Sequence, residues 1–128
     1  MADEKDKLGE ELVKAASPKM TEKDLVKVVN KSDEIQKKFY ARGPLSRFVD
    51  DARLLISAVR DYWSGTYRKW PWGTMAAVVF TLIYVFDPFD LVPDVLPVIG
   101  EVDDAAVFAG CLLLIEQDLL AYRKWKGG

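Results

Sequence analysis

Residues Tyr84–Asp104 read YVFDPFDLVPDVLPVIGEVDD, and this stretch decides the fold. It places Pro88, Pro93, Pro97 and Gly100, with the acids Asp87, Asp90, Asp94, Glu101, Asp103 and Asp104, between two apolar runs. Proline fixes φ and removes a backbone donor, so the stretch is not one continuous helix. It is expected to be a stiff link between two apolar helices. Asp87-Pro88-Phe89-Asp90 has the form of a helix start, an acidic cap followed by proline. One short turn is expected there, ended by Pro93. Glu101, Asp103 and Asp104 stand where the next helix begins, and carboxylates suit that end of the helix dipole.

Working outward, the run TMAAVVFTLIYVF before Asp87 has no polar face. A helix that is apolar all round is buried in protein or in lipid. Counted from Pro71 it spans roughly 24 Å, short of the roughly 30 Å hydrocarbon core of a bilayer. Length does not decide between the two solvents. On the other side, AAVFAGCLLLI from Ala105 continues as an amphipathic helix through Glu116, Gln117 and Asp118 and closes on Arg123-Lys124-Trp125-Lys126. Cys111 lies inside the apolar part, where a lone thiol behaves as a small hydrophobe.

Upstream, Leu45, Phe48, Ala52, Leu55, Val59 and Tyr62 recur at three and four residues. This predicts a half-buried helix from Leu45 to Trp63, about 28 Å long. Ser64-Gly65-Thr66 breaks it. Thr21 is a fitting N-cap for an earlier helix carrying Leu25, Val28, Val29, Ile35, Phe39 and Tyr40 and stopped by Gly43-Pro44. Residues 1–20 form a charged lead. Leu8, Leu12, Val13 and Ala16 line a short stripe there, but Gly9, Ser17 and Pro18 weaken it, and the segment is expected to fray. The fold class expected is all-α, a small bundle of about four helices built on a hairpin. Residues 1–43 form an arm and 44–126 the main helical domain.

The formal net charge of −2 gives no bias toward nucleic acid. No Lys or Arg occurs from Trp70 to Tyr122. Arg68 and Lys69 stand just before that window, with Trp70, Pro71 and Trp72; Arg123, Lys124, Trp125 and Lys126 stand just after it. Tryptophan beside cations matches a membrane-interface anchor. It equally matches a packed turn with a cation on an indole.

The series Leu82-Ile83-Tyr84, Pro88-x-Asp90-Leu91-x-Pro93-Asp94-x-x-Pro97-x-x-Gly100-x-x-Asp103-Asp104-Ala105 resembles the YkvA-like domain, a bacterial family of unknown function. The resemblance covers about residues 44–125. Asp87 departs from it, standing where many relatives have a small or amide residue. The resemblance implies a helical hairpin with a Pro/Asp link, and a membrane association. It implies no activity.

Two roles are open for Asp90, Asp94, Asp103 and Asp104. They cap short helices and bond donors freed by the prolines, or they gather a divalent cation, Mg²⁺ or Ca²⁺. The spacing is not an EF-hand loop, and neither Asp50-Asp51 nor Asp103-Asp104 completes a DDxxD diphosphate motif. The chain has no His, no nucleophile–base pair and no Gly-rich phosphate loop, so no enzyme and no cofactor are expected. The preferred expectation is a non-catalytic, membrane-associated hairpin module with cytoplasmic termini. The alternative is a soluble cytoplasmic adaptor that binds a protein partner.

Overall fold

The structure, a computed structural model, describes residues 4–40, 43–87 and 103–127. The link from 88 to 102 lies outside them. With it lie the expected short turn at Asp87–Asp90 beyond Asp87, the residues Pro88, Asp90, Pro93, Asp94, Pro97 and Gly100, and Arg42. The described residues form six α-helices and two short 3-10 turns. The helices are α1 (Glu4–Ala16), α2 (Glu22–Asn30), α3 (Ser32–Tyr40), α4 (Val49–Ser64), α5 (Trp72–Phe86) and α6 (Asp104–Trp125).

The all-α expectation holds, with more helices than expected. One cause is Lys31. The stripe from Thr21 was expected to run unbroken, but the chain leaves helical geometry at Lys31 (φ −106°, ψ 13°). Ser32 Oγ bonds back to the Val29 carbonyl at 3.0 Å. Small polar side chains compete with the helix ladder in this way. Thr21 starts α2 as expected, with its backbone N–H donating to Asp24 Oδ2 at 2.8 Å. The helix expected from Leu45 opens instead as a 3-10 turn over Pro44–Phe48 and becomes α-helical at Val49.

The second cause is a correction. The charged lead is not frayed: α1 is a helix of 13 residues, with Leu12, Val13 and Ala16 buried. It lies along α6. At the crossing Gly9 meets Gly110. A Cβ on Gly9 would stand 2.0 Å from the Ala106 carbonyl oxygen, and one on Gly110 would stand 2.2 Å from the Glu10 nitrogen. Only a bare backbone fits on either side. Gly9, which weakens the helix by propensity, is what lets it dock.

α5 is the centre of the molecule. Met75 to Val85 are all buried, with α1, α2, α3, α4 and α6 around them. Its apolar surface faces protein on every side. Thr81, the polar exception, donates to the Ala77 carbonyl at 2.8 Å. α5 and α6 are antiparallel neighbours. Trp70, just before α5, packs its ring 5.8 Å from Tyr122 near the end of α6. The Cys111 thiol approaches the Ala77 carbonyl at 3.7 Å. Tyr84 lies near Asp103 and Asp104 at the start of α6. Cys111 is fully buried, and burial pushes its thiol up to about 12. It behaves as the hydrophobe its setting predicts.

Candidate functional site

The residues that the sequence marked as interface candidates converge at one end of the bundle. This end gathers the close of α4, the turn 65–71, the start of α5 and the close of α6. Gly65 ends α4 in the left-handed region (φ 82°), which favours a residue without Cβ. The chain then folds back, and the Tyr67 N–H donates to the Asp61 carbonyl at 3.1 Å. Tyr67 meets Tyr122 at 5.1 Å and Trp125 at 4.7 Å between ring centroids. The edge and tilted geometries are those aromatic pairs prefer.

A polar network fixes the end of α6 to α4. Tyr122 Oη donates to Asp61 Oδ2 at 2.6 Å, and Lys126 Nζ donates to the same oxygen at 3.1 Å. Ser57 Oγ is 2.8 Å from Tyr122 Oη. Burial, with the neighbouring Asp61, pushes the Tyr122 hydroxyl above its ordinary pKa, so it stays protonated and donating. Arg123 pairs with Asp51 at 3.7 Å.

The candidates divide by exposure. Trp70 is 3% exposed and packed inside, while Trp72 is 38% exposed and Trp125 46%. Trp63, which the sequence marks only as the expected end of that helix, is exposed at 46% and joins them. Its signal was its place as the last large residue before a break. Arg68 lies over the Tyr62 ring at 4.5 Å, so the expected cation–aromatic stack forms on a tyrosine and not on an indole. Lys69 and Lys124 are exposed. Three exposed tryptophans and the cations Arg68, Lys69, Lys124 and Lys126 therefore share one end, while Arg123 reaches to Asp51 in the first turn of α4.

The acids stand at the opposite end. Asp103 caps α6, its Oδ1 accepting from the Ala106 N–H at 2.8 Å. Asp104 is the first residue of α6 and half-buried. Among the described residues no group of three or more acidic, Cys or His side chains is placed to hold a metal ion. Asp90 and Asp94 lie outside those residues. Burial, then the charge of Asp103, raise the Asp104 pKa; Lys38 opposes them. Tyr84 is pushed up to about 12 by burial and by the same two carboxylates. A raised Asp104 means that its ionisation weakens the fold, and this cost is absent below the unfolded pKa of about 4. Asp104→Asn is therefore expected to raise Tm at pH 7, with the gain shrinking to nothing below about pH 4. Thermal unfolding followed by circular dichroism across that range checks it.

A groove of about 560 Å³ runs beside α6, with Phe48, Ala109, Leu112, Leu113, Leu119 and Leu120 in its wall. By length and composition α6 is the one described helix able to cross a membrane, and half of its apolar window is buried in the protein.

Residues 74–110, which hold most of α5, the link and the first third of α6, match the family described as "Protein of unknown function (DUF1232)". A stretch of 68 residues is 34% identical to a Bacillus subtilis (strain 168) protein named "Uncharacterized membrane protein YkvA". Over this stretch the chain is similar to the YkvA-like family. The aligned stretch covers 53% of this chain and 64% of that relative. No solved structure matches. Of the described residues, most of α5 and the start of α6 fall within the family match. Trp63, the turn 67–72 and the basic close of α6 lie outside the residues that the family matches.

Proposed function

We propose that the protein is a non-catalytic membrane-associated module. It docks by its tryptophan and lysine end on the anionic face of a bilayer and keeps α5 inside the protein. The observation that carries the reading is the convergence of Trp63, Trp72 and Trp125 with Arg68, Lys69, Lys124 and Lys126 at one end. Indole favours the boundary between water and hydrocarbon, and each Lys or Arg near an anionic surface contributes about 1 kcal/mol. The name of the Bacillus relative agrees with it. Such a surface is the cytoplasmic leaflet, which puts both termini in the cytoplasm. No catalytic step is part of the reading.

Vesicle sedimentation tests it. The chain is expected to bind vesicles containing phosphatidylglycerol and to leave them in high salt. Replacing both Lys69 and Lys124 by Ala removes about 2 kcal/mol, which weakens partition about thirtyfold. Neither lysine makes an ion pair among the described residues, so the fold is retained. Equal binding by the double variant would reject the reading. A second reading, a soluble cytoplasmic adaptor, is favoured by the groove beside α6, whose leucines, edged by Asp51, Glu116 and Arg123, suit an amphipathic helix of a protein partner. It predicts no vesicle binding at all.

A further inference from the structure

A pocket of about 230 Å³ opens at the docking end, between the start of α2 and the turn before α5. Its walls include Glu22, Tyr62, Arg68 and Trp72. Three features define what it takes. First, it holds one carboxylate and one guanidinium, and these do not pair with each other or with another charge among the described residues. Second, the guanidinium is held in place by the Tyr62 ring beneath it at 4.5 Å. Third, the Tyr62 and Trp72 rings are 6.2 Å apart and tilted by 41°, and part of the indole is open. The volume is below the roughly 300–1,000 Å³ of sites for drug-sized ligands, so the occupant is small.

Two opposite charges kept apart in a small aromatic pocket suit a ligand with the reverse pair. We propose that this pocket binds the headgroup of a zwitterionic phospholipid, a phosphodiester bearing an ammonium group. Arg68 takes the phosphate through charge-assisted hydrogen bonds. Glu22 takes the ammonium, which also gains the face of Trp72. The pocket adds a headgroup preference to the non-specific attraction of the basic end, and in this it rests on the docking reading above.

The test uses the full chain and the soluble probe phosphoethanolamine, followed through the Trp72 indole N–H resonance. The expected result is a saturable shift. Glu22→Gln and Arg68→Gln should each raise Kd about tenfold. Inorganic phosphate and ethanolamine, the two halves of the probe, should each bind at least about tenfold more weakly than the whole. An unmoved Trp72 resonance overturns the proposal. So does phosphate that binds as well as phosphoethanolamine, or a Glu22→Gln variant with unchanged Kd, since either describes an anion site alone.

Vesicles separate this proposal from the docking reading. Glu22→Gln removes a negative charge, so it should leave or strengthen binding to phosphatidylglycerol vesicles. It should weaken binding to vesicles rich in phosphatidylethanolamine. Loss of both effects with the docking intact rejects the pocket only. Saturable binding of phosphoethanolamine by a chain that ignores both kinds of vesicle rejects the docking reading and the lipid source, and assigns the pocket to a soluble phosphoamine.

Discussion

Gly110→Ala should lower Tm by about 10 °C. The sign is the informative part. In an ordinary helix interior, Gly→Ala stabilises by about 0.5–1 kcal/mol, because the backbone loses less entropy on folding. At Gly110 the new Cβ would lie 2.2 Å from the Glu10 nitrogen and 2.6 Å from the Gly9 carbonyl carbon. These atoms are backbone, and no side chain can rotate away. Helices α1 and α6 must move apart, and the packing of Leu12, Val13 and Ala16 loosens with them. Overpacking of a core costs typically about 1–3 kcal/mol, and a backbone clash belongs at the upper end. Gly9→Ala meets the Ala106 carbonyl oxygen at 2.0 Å and should behave alike. Gly73, in the first turn of α5, has nothing within 4 Å of a built Cβ. Gly73→Ala is the control and should leave Tm unchanged or slightly raised. Denaturant or thermal unfolding of the three variants checks the pattern. A stabilised Gly110→Ala would mean that α1 does not lie on α6.

Phe108→Ala is expected to cost about 3–5 kcal/mol. Phe108 is fully buried on α6. Its ring meets Phe39 of α3 at 5.1 Å, edge-on, and Phe48 of the 3-10 turn at 4.8 Å. It thus ties α6 to two elements that are distant from it in sequence. Truncation removes its burial and both ring contacts and leaves a cavity walled by aromatic rings that cannot collapse far. Against a total stability of about 5–15 kcal/mol, the loss takes a large share of the fold. Urea unfolding should show a midpoint shifted far down at unchanged m-value. A loss below about 1 kcal/mol would place Phe108 outside the common core.

The hairpin was legible because its signals are local. A run without a polar face has to be a central or lipid-facing helix, and acids at Asp103 and Asp104 mark a helix start whatever surrounds them. The docking of α1 was not legible in the same way. It depends on two absent side chains, Gly9 and Gly110, far apart in the chain, and each reads locally as a weakness. Gly9 does stand three, four and seven residues before Leu12, Val13 and Ala16, so counting glycine as part of the stripe would have exposed it. The basic, tryptophan-rich end was legible by composition, but its division was not. Trp70 and Trp72 flank Pro71, whose extended backbone (ψ 145°) lies between an inward and an outward ring. Composition sees two equal tryptophans there. Trp63 escaped because a break, and not its periodicity, puts it on the surface.

In the proposed arrangement α5 faces protein while the basic end faces the membrane. Fractionation of cell membranes in four steps tests both halves together: plain buffer, high salt, alkaline carbonate and detergent. The prediction is that the chain stays with the membranes in plain buffer and leaves in salt or carbonate. Retention until detergent is added would contradict it, because α5 and α6 would then have to be in lipid and not packed within the bundle. Release into plain buffer would contradict the docking itself.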